Sequence, residues 1–442
     1  MADQSRKRLN SPSRGAAPVA AIIQNERAID GKDSYSVRFD LQNDIKFHFN
    51  GPLGRYGPDC ETSDLLDIAL SVMFVERDLR KLALTNRVSR IDLTVPVRQV
   101  SNWASRRSTL EDLLRFMGGH DWHLAFEKSS LPLRAAKTQV QEPKKLVVLH
   151  SGGMDSACGL GTLLSDASST QLVSFYTSQR PVQEQIATDL RFATPSQLYA
   201  TWQDKKSKRG RSAFAYRSFL FLSLAALVAR SFGASSILQF ENGFMAASVP
   251  PCANYFVTRH AHPKYHRLFN ELLDQMSLPF TVENPFRWKT KRQAVVEFRE
   301  AVGSRAKADR ILGMTQSCWF YSFYQFHSRF KRERIKKNPH QHCGLCVPCL
   351  VRRVAFRDDD YSLDPRTPPA YVKDKGNVSY NYDAYLAFCN LVQANRETPE
   401  GLRRALLRFG IILDPEAGPW ESLHPLLVQF SREFIAAFLT AK

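Results

Sequence analysis

Between Lys144 and Asn284, short apolar runs alternate with longer helical ones, and this alternation limits the fold more than any other feature of the chain. KKLVVLH, QLVSFYT, SQLYATW, SSILQFEN and LPFTVEN read as strands. KKLVVLH and QLVSFYT suit the buried centre of a parallel sheet, where strands carry near-continuous apolar runs. ACGLGTLLSD, VQEQIATDLRF, AFAYRSFLFLSLAALVARSFGA and HPKYHRLFNELLDQM read as the helices between them. Strands alternating with helices predict a doubly wound α/β domain over residues 144–313. Its ligand is expected beyond the C-terminal strand ends, where the strand order reverses.

The rest of the 442 residues divides around that domain. Residues 1–30, rich in Ser, Arg, Pro and Ala, read as a flexible tail. Residues 31–140 predict a small accessory α+β domain: YSVRFDL, IKFHFNG, RIDLTVPV and WHLAFEK alternate as half-buried strands, with helices at SDLLDIALSVMFVERDLRK and TLEDLLRFMGG. The stretch 314–357 is irregular, basic and cysteine-bearing, and 358–442 predicts C-terminal helices. The formal net charge is +18, a surface that attracts phosphates, nucleic acid or an acidic protein. The uncharged apolar run between Arg217 and Arg230 is shorter than the ~17–25 residues of a membrane-spanning helix. With a polar, basic N-terminus, no membrane partner and a cytoplasmic location are expected, and the 8 cysteines are expected as thiols or metal ligands.

Ser151-Gly152-Gly153-Met154-Asp155-Ser156 stands between the first strand and its helix. Two glycines let backbone amides approach an anion, and the helix N-terminus adds unpaired N–H groups and a positive dipole end. Ser151 and Ser156 can donate hydroxyl hydrogen bonds. The loop lacks the Gly-Lys-Ser/Thr ending of a P-loop and the spacing of a dinucleotide fingerprint. Downstream, Cys343, Cys346 and Cys349 form C-x2-C-x2-C. A closed tetrahedral zinc (Zn2+) site needs a fourth ligand. Cys318 is the first candidate, with His342, His340 and His327 as rivals, and an iron–sulfur cluster is the competing use of four cysteines. Cys60, Cys158, Cys252 and Cys389 stand alone.

Strand–SGGMDS–helix resembles the PP-loop (HUP-like) ATP pyrophosphatases, which split ATP into AMP and pyrophosphate while adenylating a substrate. The resemblance implies that Ser151, Gly152, Gly153, Met154, Asp155 and Ser156 hold the pyrophosphate part of ATP, with Mg2+ between Asp155 and the phosphates. With CGLCVPCLVRR behind it, the chain is similar to the QueC (7-cyano-7-deazaguanine synthase) family over residues 144–357. There the zinc is structural, and ATP activates the carboxylate of 7-carboxy-7-deazaguanine for amide and then nitrile formation. YRSFLFLSLAALVA, FENGFMAASVPP, TRHAHPKY and NPFRWKTK resemble the longer QueC-like proteins of bacterial anti-phage systems, the Qat system and type IV CBASS. That branch implies an ATP-dependent C–N ligase joining a 7-deazaguanine to an operon-encoded protein partner.

Further polar positions fall at the expected ligand side. Glu241 and Asn242 end the fourth strand, with Glu241 a candidate to face a guanine-like N–H edge and an ordinary turn as the alternative. Arg259 and His260 open a helix and are candidates for contacting a carboxylate or phosphate. Lys289 and Lys291 precede another, where a lysine steadies a polyphosphate. Arg217 faces the nucleotide if the family helix aligns with AYRSFLFL, and it joins Asp155 and Lys289 as a catalytic candidate. The basic run at 205–211 reads as a mobile loop that closes over ATP or docks an acidic partner, and the run at 329–337 lies inside the cysteine-bearing segment. A tRNA-modifying PP-loop enzyme, an ordinary 7-cyano-7-deazaguanine synthase and a non-catalytic nucleotide-binding subunit are the alternatives. Nucleic acid is the less favoured partner, because no tRNA-binding module is recognisable.

Overall fold

A computed structural model of the chain describes residues 19–29, 32–81, 89–134, 140–175, 179–202, 215–253, 255, 257–318, 346–356 and 379–439. The N-terminal part supplies β1 (Val19–Ile29), β2 (Lys32–Phe39), β3 (Ile45–Asn50), β4 (Leu53–Gly54), α1 (Cys60–Lys81), β5 (Ser89–Val97), α2 (Val100–Ser105), α3 (Arg107–Gly118), β6 (Asp121–Lys128) and β7 (Val140–Gln141). The alternation predicted downstream is present. It runs β8 (Leu146–Leu149), α4 (Met154–Gly161), β9 (Thr170–Phe175), α5 (Arg180–Asp189), β10 (Ser196–Trp202), α6 (Arg217–Phe232), β11 (Ser236–Leu238), α7 (Gly243–Ala246), α8 (Pro263–Gln275), β12 (Thr281–Glu283), α9 (Lys291–Val302) and α10 (Arg305–Met314).

Five of these strands pair in parallel in the order β12-β11-β8-β9-β10. From β8 the chain moves outward through β9 and β10, then crosses back to lay β11 and β12 on the other side of β8. The order therefore reverses between β8 and β11, the point of a doubly wound sheet beyond whose C-terminal strand ends the ligand crevice is expected. The crossover is α6, in which every residue except Arg217, Phe221 and Arg230 is buried. A helix that is apolar on all sides needs cover on all sides. The sheet strands β8 and β9 cover one face and α1 covers another. Glu76 on α1 accepts from the Ala215 and Tyr216 amides ahead of α6, at 2.6 and 3.3 Å.

Three expectations are corrected. The tail predicted over residues 1–30 contains β1, which lies between β2 and β5 in a four-stranded sheet. Val19, Ala21 and Ile23 alternate into the core, a short period-2 signal hidden in Ala-rich sequence. The accessory domain expected at 31–140 is not separate. Its strand β3 leaves β2 and joins the α/β sheet, antiparallel to β10. One hydrophobic core runs from Val19 through Trp122 and α6 to Val282, and Trp122 Nε1 donates to Tyr216 Oη at 2.8 Å. Finally, the helix expected to run to Asp166 stops at Gly161, followed by a 3-10 turn over Leu164–Ser169.

The C-terminal helices α11 (Val347–Ala355), α12 (Ser379–Ala394), α13 (Pro399–Arg408) and α14 (Trp420–Leu439) enclose a second core. It takes in Phe244 of α7, whose ring stacks on Phe430 of α14 at 3.6 Å between centroids. Among the described residues, no helix is long and apolar enough to cross a membrane.

Buried charge ties the N-terminal elements together. Asp64 on α1 accepts from the Arg98 and Gln99 amides, from Trp103 Nε1 and from the Arg98 guanidinium at 2.6 Å. Asp67 accepts from Arg98 and Arg134 at 2.9 and 2.6 Å. Removing one partner of such a buried set leaves the other charge uncompensated. Asp64→Ala is expected to lower stability by about 3–5 kcal/mol in urea unfolding of the full chain, and a loss within the range of an exposed substitution would contradict this reading.

Candidate functional site

The loop between β8 and α4 is held open from outside. Gly152 has φ +77°, a conformation that strains any residue with a Cβ, and an added Cβ would meet Gln183 Cγ at 3.1 Å. Gly153 caps α4 in an extended conformation, and a Cβ there would sit 3.1 Å from Ser151 Oγ. Gln183 Nε2 donates to the Ser151 carbonyl at 3.2 Å, and the Gln316 amide donates to the Gly152 carbonyl at 3.0 Å. Within the loop, the Gly153 amide donates to Ser151 Oγ at 3.1 Å, and Ser156 Oγ donates to the Gly153 carbonyl at 2.9 Å. Ser151 itself is exposed. A small polar, glycine-lined cradle at a helix start, open to solvent, suits phosphate oxygens.

Behind the loop lies a buried cluster of charge. Asp155, in the first turn of α4, pairs with Lys291, the first residue of α9. Thr290 caps α9 with a full capping box to Gln293, and this fixes where Lys291 enters the crevice. Asn242 Nδ2 donates to Asp155 Oδ2 at 3.3 Å and to Glu241 Oε1 at 2.9 Å. Glu241 Oε2 is 2.8 Å from His260 Nε2, and His260 Nδ1 is 3.0 Å from Thr258 Oγ1. Asn284 fixes the Glu241 backbone from the end of β12, accepting from its amide at 3.2 Å and donating to its carbonyl at 2.8 Å. The two strands flanking the reversal thus deliver Asp155 and Glu241 to one point.

The electrostatics follow from that placement. Burial pushes the Asp155 carboxyl up; Lys291 opposes this and the Glu241 carboxylate adds to it. Glu241 stays below the usual carboxylate range, because the His260 hydrogen bond and Lys291 outweigh its own burial. Lys291 is held above its ordinary value, since the two carboxylates outweigh desolvation. The two carboxylates share one ammonium, Lys291, and Glu241 has the His260 ring as its second partner. Asp155 Oδ1 is buried without a hydrogen-bond partner among the described residues, so it has lone pairs to offer. A hard cation such as Mg2+, which takes one or two carboxylates together with phosphate oxygens, fits that donor.

A second cluster lies nearby in the chain. The Cys318, Cys346 and Cys349 sulfurs lie within 4.8 Å of one another. Cys346 and Cys349 are 3.4 Å apart, far beyond the ~2.05 Å of a disulfide. A tetrahedral zinc with Zn–S bonds near ~2.3 Å holds its sulfurs about 3.8 Å apart, so this set fits one. Cys346 also caps α11, which ties the metal position to that helix. Cys343, the fourth member of the expected set, lies outside the described residues, as do His327, His340, His342 and the basic runs at 205–211 and 329–337.

Of the residues singled out in the sequence, the structure brings together Ser151, Gly152, Gly153, Asp155, Ser156, Lys291, Glu241, Asn242 and His260. Met154 is buried in the core behind the loop. Three others face elsewhere. Lys289 pairs with Glu297 of α9 at 2.6 Å. Arg259 donates to the Phe116 carbonyl at 2.7 Å, joining α3 to the α/β unit. Arg217 lies over the Phe221 ring at 5.0 Å on the exposed side of α6. Gln183, Asn284 and Gln316 brace the site and carry no sequence motif; only their long-range contacts reveal them.

Lys291→Met is expected to cost about 3–5 kcal/mol, because it leaves two carboxylates buried without their ammonium. A carboxyl raised above its unfolded value stabilises the fold at low pH, and that contribution is lost as pH rises through the window between the two values. Lys291 lowers the Asp155 value, so its removal widens the window upward. The deficit of Lys291→Met relative to the natural chain should therefore shrink in urea titrations at about pH 5 and grow at about pH 8. A deficit independent of pH would mean that Asp155 is not the group affected.

Residues 196–360 match the family model of the queuosine biosynthesis protein QueC. No curated protein matches the chain. The matched stretch begins at β10 and includes Glu241, Asn242, His260, Lys291 and the cysteine cluster. Over that stretch the chain is similar to QueC, within a mixed α/β fold whose strand order reverses between β8 and β11, beside the SGGMDS cradle that follows β8.

Proposed function

We propose that this chain is an ATP-dependent ligase that adenylates the carboxylate of a 7-deazaguanine and joins it to an amine, with an amino group of an operon-encoded partner protein as the acceptor. The observation that carries this reading is the buried Asp155–Lys291–Asn242–Glu241–His260 cluster behind a glycine cradle at the reversal of the strand order. In this reading the Gly152–Gly153 loop, Ser151 and Ser156 hold the pyrophosphate part of ATP, and Lys291 lies beside it. Bound Mg2+ supplies neutralisation of the polyphosphate, with Asp155 as its protein ligand. Glu241, oriented by His260 and Asn242, accepts from the N–H edge of the deazaguanine.

The chemistry balances in two displacements. A carboxylate oxygen of the base attacks the α-phosphorus of ATP, and the bond to the β-phosphate bridging oxygen breaks, releasing pyrophosphate. The acyl-adenylate carbon is then attacked by an amine nitrogen; the C–O bond to AMP breaks, and the amine loses a proton. A carboxylate is a weak electrophile, and adenylation supplies the leaving group. The three thiols, with Cys343 as the fourth ligand, would hold a structural zinc rather than a reacting one, since a site of four cysteines keeps no open position. The support for a protein acceptor is the resemblance of YRSFLFLSLAALVA and TRHAHPKY to the defence branch, together with the extra N-terminal sheet.

Incubation of the full chain with ATP and 7-carboxy-7-deazaguanine is expected to give AMP and pyrophosphate, and Asp155→Asn is expected to lose about 100-fold or more in rate. Detection of ADP and phosphate would overturn the reading. Co-expression with an operon neighbour should add the mass of one deazaguanine acyl group to that neighbour, and not in the Asp155→Asn strain. Release of free 7-cyano-7-deazaguanine with no labelled protein would make ammonia the acceptor.

A further inference from the structure

Residues Thr315 to Cys318 form a strap that touches three things in succession. Thr315 closes the C-terminus of α10 and is gripped by Arg352 of α11. Arg352 is fully buried; its Nη1 donates to Thr315 Oγ1 at 2.6 Å and to the Thr315 carbonyl at 3.2 Å, and its Nη2 donates to the Leu312 carbonyl at 3.0 Å. A planar, always charged fork meets both carbonyls at once, adding to the Thr315 amide and hydroxyl that already donate to the Leu312 carbonyl. The next residue, Gln316, gives its amide to the Gly152 carbonyl at 3.0 Å. Two residues further on, Cys318 is one of the three clustered thiols. Arg352 lies on the helix that Cys346 caps and that holds Cys349 in its first turn. The cysteine cluster therefore reaches the strap by two routes, directly at Cys318 and through α11 and Arg352 at Thr315.

The bond from Gln316 has a specific geometric effect. The Gly152 carbonyl and the Gly153 amide belong to one planar trans peptide, so their C=O and N–H point in opposite directions. Gly152 has no side chain and a positive φ, so its own conformational preference does little to fix that plane. Holding the carbonyl from behind aims the Gly153 N–H to the front, where it meets Ser151 Oγ at 3.1 Å on the cradle side.

We propose that Arg352 is a positioning residue for the phosphate loop: it holds the 315–318 strap so that Gln316 fixes the Gly152–Gly153 peptide plane for the ATP phosphates, and the thiol cluster secures the same strap. This rests on the ATP-binding reading above and adds the part of the chain outside the crevice that sets it. The test uses the full chain and Mg-ATP titrated by calorimetry, with zinc content measured in parallel. Arg352→Met is expected to keep its zinc and to bind ATP roughly tenfold or more weakly, with the KM for the deazaguanine carboxylate unchanged. Arg352→Lys, which keeps the charge but not the fork, should fall between. Thr315→Val, which removes the hydroxyl that accepts from Arg352 and donates to the Leu312 carbonyl but leaves the Arg352 bonds to both carbonyls, should weaken ATP binding less and serves if Arg352→Met does not fold. Chelator-treated natural protein should show the same weakening as Arg352→Met, and chelation of Arg352→Met should add little. Natural-affinity ATP binding in zinc-loaded Arg352→Met, or in folded Thr315→Val and Arg352→Lys together, would overturn the inference alone. Absence of ATP binding in the natural chain would overturn the functional reading and this inference with it.

Discussion

The buried pair of Asp155 and Lys291 makes demands on most of the α/β unit. Taking two ions out of water costs several kcal/mol each, and their attraction offsets this only with good geometry and further hydrogen bonds. Here a second carboxylate, Glu241, lies in the same pocket, so the requirement is stricter. It is met by groups arriving from four directions. Asp155 comes from the first turn after β8, and Asn242 and Glu241 from the end of β11. His260 comes from the segment before α8, and Lys291 from the capped start of α9. Only a strand order that places β8 beside β11 lets all of them meet. The fold is thereby constrained by the charge at its crevice as much as by its apolar core.

The same dependence extends outward. The cap of α9 is itself held, since Thr290 Oγ1 donates to Glu433 of α14 at 3.1 Å. Phe244, two residues beyond Asn242, stacks into the C-terminal core. The helices of 379–439 thus fix both ends of the cluster without entering it. On the opposite side, α6 needs α1 to cover its apolar surface, and β3 closes the edge of the sheet. The N-terminal elements are part of the same folding unit as the crevice, so their removal would expose the helix that carries the crossover.

What could be read from the sequence was local. Ser151 to Ser156 form a glycine loop between strand and helix whatever surrounds them, and the apolar alternation after Lys144 gave the parallel sheet. Lys291, Glu241, Asn242 and His260 could be singled out as candidates because each sits at an element end on the expected ligand side of a doubly wound sheet. Lys289 was indistinguishable from Lys291 in sequence; the helical start at Lys291 turns one side chain inward and leaves the other to Glu297. Arg259 has the same composition cues as an anion contact, but a carbonyl 143 residues away takes its guanidinium. β1 and the departure of β3 from its neighbour depend on which edge each strand finds, and no residue pattern within a single strand carries that information. The positions of Gln183, Gln316 and Arg352 are likewise set by tertiary contact.

The central claim is that the Gly152–Gly153 cradle and the Asp155–Lys291 pair together form an ATP site. A crystal structure of the full chain with magnesium and a non-hydrolysable ATP analogue tests it most directly. The expected result is polyphosphate against the Gly152 and Gly153 amides at the start of α4, with Lys291 and Asp155 beside it and the base edge of the crevice bounded by Glu241. Nucleotide bound elsewhere on the molecule, with the Asp155–Lys291 pair closed and the cradle empty at saturating analogue, would contradict it.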